Sequence, residues 1–198
     1  MSEYGIRRMK PSELWGFYKH IEQDFSEDEH APYAVLYEQL QNGIQEGWVF
    51  CDGDRDLAYS ICAASNANEF VLVSLLAVYP EYRGRGIGSV FLKAMNEKFA
   101  DKQAILVEVE KPELSKSAED RSSRVKRIAF YEREGFYGIP GIDYAIWGVP
   151  MHIMAKPMIA SKETVDDGIG QFIHAIYLQL MGERFIHKMH FVRLDGEI

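Results

Sequence analysis

Apolar residues in this chain occur in short runs of strand length, separated by turn residues and by stretches with helical spacing. Runs of about four to eight residues rich in β-branched and aromatic side chains predict strands. The predicted strands are Tyr4 to Met9, Trp48 to Cys51, Leu57 to Ala64, Phe70 to Val78, Ala104 to Glu110, and short ones near Phe136-Tyr137, Tyr144 to Trp147 and His152 to Ala155. Two turn signals, Asp52-Gly53-Asp54 and Asn66-Ala67-Asn68, connect three of these strands as antiparallel hairpins.

Between the strands, apolar residues recur at intervals of three and four, which predicts helices. The first predicted helix has Ser12 as its N-cap and carries Trp15, Tyr18 and Ile21 on one face. The other predicted helices run from Ala31 or Pro32 to about Gln45, from Ser89 to about Phe99, through Val125, Ile128 and Ala129 to a stop at Gly135, and from Val165 to Leu180 with Gly182 at the end.

The order of these elements predicts the fold class. It indicates an α/β (α+β) domain with a central mixed, mostly antiparallel sheet flanked by helices, formed by residues 1–157. Residues 158–198 then form an appended helical extension, whose apolar stripe packs on the domain or on a second subunit. A homodimer through this helix is therefore one expectation.

Composition narrows the class of function. The 198 residues are 47% hydrophobic, enough for a full core, and the net charge is −8 with a pI near 5.3. An acidic chain repels the phosphate backbone, so nucleic acid is not an expected partner, whereas a cationic amine is mildly favoured. No apolar run reaches membrane-spanning length and the N-terminus lacks signal-peptide character, so we expect no membrane association and a cytoplasmic location.

A glycine-rich turn is the most informative local motif. It follows the apolar segment Leu76-Ala77-Val78 and reads Arg83-Gly84-Arg85-Gly86-Ile87-Gly88. Glycines remove the Cβ atoms that would keep a phosphate from the main chain, and they permit positive φ. The turn leads into a predicted helix, whose first N–H groups and dipole favour an anion, while Arg83 and Arg85 add positive charge.

The details of this turn exclude the two commonest phosphate-binding loops. The Gly-Lys-Ser/Thr triplet of a Walker loop is absent, and the glycine spacing differs from the dinucleotide fingerprint Gly-x-Gly-x-x-Gly. The pattern Arg-x-x-Gly-x-Gly at Arg83, Gly86 and Gly88, preceded by Val78, Pro80 and Tyr82, instead resembles the acyl-CoA pyrophosphate loop of the GNAT superfamily of N-acyltransferases.

A second motif about forty residues downstream supports this resemblance. The stretch Ile128-Ala129-Phe130-Tyr131-Glu132-Arg133-Glu134-Gly135-Phe136 is similar to the family's helix that carries Phe-Tyr and closes on Gly-Phe. The resemblance implies that Tyr131 lies beside the acyl-CoA sulfur and protonates the leaving thiolate. The alternative is that Tyr131 packs in the core, as most aromatic residues in helices do.

The resemblance also implies a cofactor and a way of holding it. Acetyl-CoA is the expected co-substrate, with its pyrophosphate on the backbone N–H groups from Arg83 to Gly88. In relatives the thioester lies where the strand before the loop and the next strand splay apart. Main-chain groups of the segment Leu76-Ala77-Val78 are then expected to pair with the pantetheine arm as an added strand would.

The general base has two candidates in this sequence. Some relatives carry a glutamate on the strand before the loop, but Leu72 stands at that position here. Glu108 and Glu110 are the alternatives, because both lie on one face of the next strand and burial would raise the pKa of either carboxyl towards that of a useful base. Glu108 is the preferred candidate. Both could instead be solvated or paired with the basic residues of the following helix.

That basic cluster allows two readings. Arg124, with Arg121, Lys126 and Arg127 around it, stands where relatives more often have asparagine, and it could reach the 3′-phosphate of CoA or hold an acidic acceptor. It could equally form salt bridges with Glu113, Glu119 and Asp120.

Metal chemistry is not expected. The two cysteines form no CxxC motif, and the pair His187 and His190 lacks an acidic or cysteine partner at ligand spacing. The expected activity is transfer of an acetyl group from acetyl-CoA to an amine of a small molecule or protein. A silent acyl-CoA-binding sensor domain and an interaction protein with a plain structural glycine turn are the alternatives.

Overall fold

The computed structural model describes residues 3–64 and 69–194. The strands are β1 (Tyr4–Arg8), β2 (Gln45–Asp52), β3 (Arg55–Ala64), β4 (Phe70–Val78), β5 (Ala104–Glu110), β6 (Tyr137–Gly138), β7 (Ile142–Ile146), β8 (Val149–Pro157) and β9 (Met189–Arg193). The helices are α1 (Leu14–Asp24), α2 (Tyr33–Gln41), α3 (Ile87–Lys98), α4 (Ala118–Arg133) and α5 (Lys162–Phe185). The predicted turn at Asn66-Ala67-Asn68 lies outside the described residues.

The chain divides into two compact units. The described part of the first comprises residues 3–64 and 73–99. Its strands β1, β2 and β3 form an antiparallel meander, in which Tyr4 lies opposite Asp52 and Gln45 lies opposite Ala63. The core side chains of this unit come mainly from helices α1 and α2 and strands β2, β3 and β4: Met9, Leu14, Phe17, Tyr18, Ile21, Leu36, Leu40, Val49, Tyr59, Ile61, Leu75 and Ala77. This packing holds the C-terminal half of β4 in place.

The described part of the second unit comprises residues 69–72 and 100–194. Strand β5 pairs antiparallel with β8 along its whole length, from Ala104 opposite Pro157 to Glu110 opposite Met151. Strand β7 pairs with both β8 and β9, and β6 pairs with β8. Helix α5 buries a stripe of Val165, Ile169, Ile173 and Ile176, and its Phe172 stacks on Phe70. The second unit therefore has its own apolar core.

The predicted fold class is confirmed: the sheet is mixed and mostly antiparallel, helices flank it, and a helix lies near the C-terminus. Strands β4 and β5 have the predicted bounds. The predicted stop of α4 at Gly135 is also confirmed, because Gly135 has φ +89° and the N–H groups of Gly135 and Phe136 bond to the carbonyls of Glu132 and Tyr131. These two bonds are the Schellman pattern of a helix end.

Several predictions about helix ends are wrong. Ser12 is not the N-cap of α1; it lies in a 3-10 turn, Pro11–Glu13, and the Glu13 carboxylate accepts a hydrogen bond from the Lys10 N–H at 2.7 Å. Trp15 is 58% exposed, because the buried face of α1 is formed by Leu14, Phe17, Tyr18 and Ile21. Helix α2 ends at Gln41 rather than near Gln45, which already belongs to β2.

The C-terminal region contains a strand that the sequence did not predict. Helix α5 is interrupted at Gly182, whose φ of +68° and ψ of 173° are not helical, so this residue breaks the helix as expected. The chain then returns as β9, which pairs antiparallel with β7 from Ile142 opposite Arg193 to Ile146 opposite Met189. Strand β9 is only five residues long, and His190 and Arg193 interrupt its apolar residues, so it carries little sequence signal of its own.

Candidate functional site

The glycine turn of the first unit joins β4 to α3. A 3-10 turn, Pro80–Tyr82, follows the strand, and Gly84 and Gly86 then adopt φ values of +74° and +79°. Gly86 is the N-cap of α3, and its carbonyl accepts the first helical hydrogen bond from the Val90 N–H at 3.2 Å. The N–H groups of Ile87, Gly88 and Ser89 therefore have no acceptor within the helix, and they lie at its positive end.

The three glycines of this turn have different roles. A Cβ atom at Gly84 or Gly86 would meet no heavy atom within 4 Å, so glycine is required there for its positive φ and not by crowding from the protein. Gly88 differs, because it is the second residue of α3 and is not among the glycines with positive φ. The expectation that all three glycines permit a tight turn thus holds for Gly84 and Gly86 only.

The Arg83 side chain anchors this turn to other residues of the first unit. Its guanidinium donates to the main-chain carbonyl of Val78 at 2.8 Å and to the carboxylate of Asp24, at the end of α1. Asp24 also accepts from the Tyr59 hydroxyl at 3.3 Å, and the Arg83 backbone N–H donates to Pro80 at 3.3 Å. The charge of Arg83 is therefore compensated within the protein, whereas the Arg85 side chain is exposed. Sequence reasoning did not identify Asp24.

The end of β4 presents alternating side chains. Leu75 and Ala77 are buried in the core of the first unit, whereas Leu76 and Val78 are partly exposed. Strand geometry places the two partly exposed residues on one face.

Tyr131 is the buried residue of α4 in the second unit, with 7% of its surface exposed. Its ring packs against Phe130 and Phe136, at centroid distances of 5.1 and 5.4 Å in edge-to-face arrangements. The Tyr131 carbonyl accepts the closing hydrogen bond of the helix from Phe136. This environment holds the ring in one orientation and is compatible with both interpretations of the residue.

Glu108 lies on β5 with two tyrosine hydroxyls on its carboxylate. Tyr144 of β7 donates to Oε1, and Tyr177 of α5 donates to Oε2 at 2.7 Å. Burial raises the pKa of Glu108, and the two hydrogen bonds oppose that rise. Burial, together with the nearby carboxylate, raises the pKa of both tyrosines well above the ordinary value. From the sequence, Tyr177 was predicted only as part of an apolar stripe. A tyrosine in such a stripe indicates a buried hydrogen-bond partner, because its hydroxyl needs one.

Glu110, the weaker candidate base, is paired. Its carboxylate forms an ion pair with Arg124 at 2.8 Å, and the two side chains are 19% and 11% exposed. Arg124 also bonds to Asp120 at 2.8 Å and to the Lys111 carbonyl at 2.9 Å. The geometry favours the salt-bridge interpretation of this arginine over a contact to CoA.

Arg124→Met is therefore expected to lower the free energy of unfolding by about 2 kcal/mol, because the Glu110 carboxylate loses its partner in a site largely closed to water. Urea unfolding measures this, with Arg121→Met, at an exposed position of the same helix, as the matched control. Equal stabilities of the two variants, combined with a weaker affinity for acetyl-CoA in Arg124→Met alone, would instead assign Arg124 to the CoA phosphate.

Within residues 3–64 and 69–194, no three His, Cys, Asp or Glu side chains lie together in a way that could hold a metal ion. His190 instead contacts Asp143, with 3.1 Å between Nε2 and Oδ2. None of the helices in the described part of the chain is long and apolar enough to cross a lipid bilayer.

Part of the chain is similar to a known protein family. Residues 43–137 match the model of the acetyltransferase (GNAT) domain. No curated protein matches the sequence significantly.

Solved structures show the same fold over most of the chain. A protein described as a GNAT-family acetyltransferase from Bacteroides thetaiotaomicron superposes with a TM-score of 0.70 and 23% identity, covering 90% of this chain and 98% of that one. The ribosomal-protein-S18-alanine N-acetyltransferase of Escherichia coli gives 0.57 and 20%, with coverage of 80% and 97%. A chimera based on a Vibrio cholerae spermidine N-acetyltransferase gives 0.57 and 14%, with coverage of 79% and 96%.

Proposed function

We propose that this chain is an acetyltransferase of the GNAT family, which transfers an acetyl group from acetyl-CoA to a primary amine by direct attack; the match of residues 43–137 to that family's domain supports this. The observation that carries the proposal is the glycine turn, where positive φ at Gly84 and Gly86 leads into the open N-terminus of α3. A row of backbone N–H groups without helical acceptors at a helix N-terminus fits a diphosphate.

The donor site is assigned to the first unit. The N–H groups between Gly84 and Gly88 bind the pyrophosphate, and the exposed side chain of Arg85 adds positive charge. Arg83 acts differently from the sequence expectation: it holds the turn in place through Val78 and Asp24. Main-chain groups of Leu76, Ala77 and Val78 align the pantetheine arm, although the Val78 carbonyl also accepts from Arg83.

Two residues of the second unit are assigned to proton transfer. The amine nitrogen attacks the thioester carbonyl carbon, the C–N bond forms, and the C–S bond breaks. Glu108 accepts the proton that the amine loses, and Tyr131 gives a proton to the departing thiolate, so that the products are an amide and the CoA thiol. The raised pKa of the Glu108 carboxyl makes it a stronger base than an exposed glutamate.

The acceptor is an amine of a small molecule or of a protein. The net charge of −8 favours a cationic acceptor, and structural neighbours act on both kinds: one is named for spermidine and one for the alanine of a ribosomal protein. We propose a cytoplasmic location on composition alone. Nucleic acid and membranes are not proposed as partners.

Calorimetric titration with acetyl-CoA, followed by thiol release with polyamines, amino acids and peptides, tests the proposal. Saturable binding and amine-dependent thiol release are expected. Binding without turnover of any amine would indicate the silent sensor domain, and no binding would leave the turn with a structural role only. Both results would overturn the transferase function.

A further inference from the structure

A largely buried hydrogen-bonded cluster joins three elements of the second unit. Glu108 comes from β5, Tyr144 from β7 and Tyr177 from α5, and each carboxylate oxygen accepts one tyrosine hydroxyl. Tyr144 is fully buried and Tyr177 is 8% exposed. Both tyrosines lie outside residues 43–137, the part of the chain that matches the acetyltransferase family.

Tyr177 is an exception in the face of α5 that it occupies. The other buried residues of that face are Val165, Ile169, Ile173 and Ile176, all aliphatic. A hydroxyl in such a stripe costs free energy unless it is hydrogen-bonded, and here its partner is Glu108. At Tyr177, helix α5 therefore supplies a hydrogen-bond donor to Glu108 in addition to burying apolar surface.

We propose that Tyr144 and Tyr177 are positioning residues for acetyl transfer, which hold the Glu108 carboxylate ionised and oriented to take the proton of the acceptor amine. The inference rests on the proposed function and deepens it, because it makes the C-terminal helix part of the catalytic machinery.

The arrangement leaves Glu108 able to accept a proton. A carboxylate has two oxygens with about four acceptor sites, and the two tyrosines occupy one on each oxygen. Both hydroxyls stay protonated, because burial and the nearby carboxylate raise their pKa values well above the ordinary range, so each keeps the proton that it donates to Glu108. A proton from the amine thus goes to a free acceptor site of Glu108 and then to water.

The surroundings of Glu108 contain few competing charges. On its own strand Glu110 is paired with Arg124 of α4. On β8 the residue opposite Glu108 is Ile153, and the neighbouring His152 is directed to Glu113, with 3.7 Å between the nearest atoms. From β7 and α5 the facing groups are Tyr144 and Tyr177. Tyrosine donors are thus the groups that favour the ionised form of Glu108 here.

Tyr177→Phe and Tyr144→Phe each remove one donor and keep the ring. Loss of a bond to the charged form raises the pKa of Glu108, so the acidic limb of the pH profile of kcat/KM moves to higher pH. At pH 7 we expect kcat to fall about tenfold, with recovery at higher pH and an unchanged KM for acetyl-CoA.

Tyr137→Phe is the matched control. Its hydroxyl donates to Asp166 of α5 at 2.8 Å, so this variant removes a tyrosine-to-carboxylate bond that also holds α5 but does not touch Glu108. The profile of Tyr137→Phe is expected to match the wild type. Equal shifts in Tyr137→Phe and Tyr177→Phe would assign the effect to anchoring of the helix and would overturn the proposal.

A direct titration separates this inference from the proposed function. Carbon-13 NMR of the glutamate side-chain carboxyls, with Glu108→Gln to assign the resonance, reports the titration of Glu108 whether or not an amine is acetylated. A titration that moves to higher pH in Tyr177→Phe and Tyr144→Phe supports the positioning role, and an unchanged titration in both overturns it. Absence of thiol release from the wild type counts against the transferase function alone.

Discussion

Tyr131→Phe is expected to reduce kcat for acetyl transfer by about a hundredfold to ten-thousandfold while leaving acetyl-CoA affinity nearly unchanged. The phenyl ring keeps the edge-to-face packing on Phe130 and Phe136, so α4 retains its end. What is lost is the hydroxyl, the proposed source of the proton for the departing thiolate. Steady-state thiol release and calorimetry with acetyl-CoA measure the two quantities.

Tyr137→Phe serves as the control for this experiment too, because it removes another tyrosine hydroxyl in the same unit, six residues further along the chain. Its kcat is expected to equal that of the wild type. A Tyr131→Phe enzyme with full kcat would show that the residue is a core aromatic only, and another proton donor would then have to be sought.

Gly86→Val is expected to weaken acetyl-CoA binding more than tenfold and to lower the melting temperature. Gly86 has φ +79°, a region that a β-branched residue adopts at a cost of about 1–2 kcal/mol, and the strain falls on the first turn of α3. The new side chain also stands where the main-chain N–H groups are proposed to meet the pyrophosphate. Calorimetry and thermal unfolding measure the two effects.

Gly86→Asn separates these two causes. Asparagine tolerates positive φ better than valine, so the fold is expected to be largely retained, while its side chain still blocks the phosphate. Wild-type affinity in Gly86→Asn would contradict the proposed cradle. Gly16→Ala, at an open position in α1 with ordinary helical φ, is the control for glycine replacement as such and is expected to leave affinity unchanged.

The elements that the sequence predicted best are those with a strong local signal. Strands β4 and β5 are nearly continuous apolar runs, and the structure places their ends as predicted. Gly135 ends α4 because the Schellman hydrogen bonds need a residue with positive φ. A glycine that follows a helical pattern therefore predicts a helix end. In each case the determining interactions lie within a few residues of one another.

The wrong predictions concern weak or competing signals. Ser12 is a good capping residue, but Glu13 accepts from the Lys10 N–H and also contacts Arg7 at 3.0 Å, and this arrangement moves the helix start to Leu14. Strand β9 has almost no pattern by itself and owes its conformation to pairing with β7. The role of Arg83 in the site was also not predicted, because its partner Asp24 lies 59 residues away in the chain.

By itself, the sequence determined the glycine turn, the helix α3 that follows it and the position of Tyr131 in the second motif. From these features came the expectation of an acyl-CoA transferase. These features follow from local rules, because positive φ, open helix ends and apolar periodicity depend on residues close together in the chain. Only the tertiary structure decided the environment of Glu108. Its partners Tyr144 and Tyr177 are 36 and 69 residues away, and they meet it because β7 and α5 pack in one unit, which no local spacing encodes.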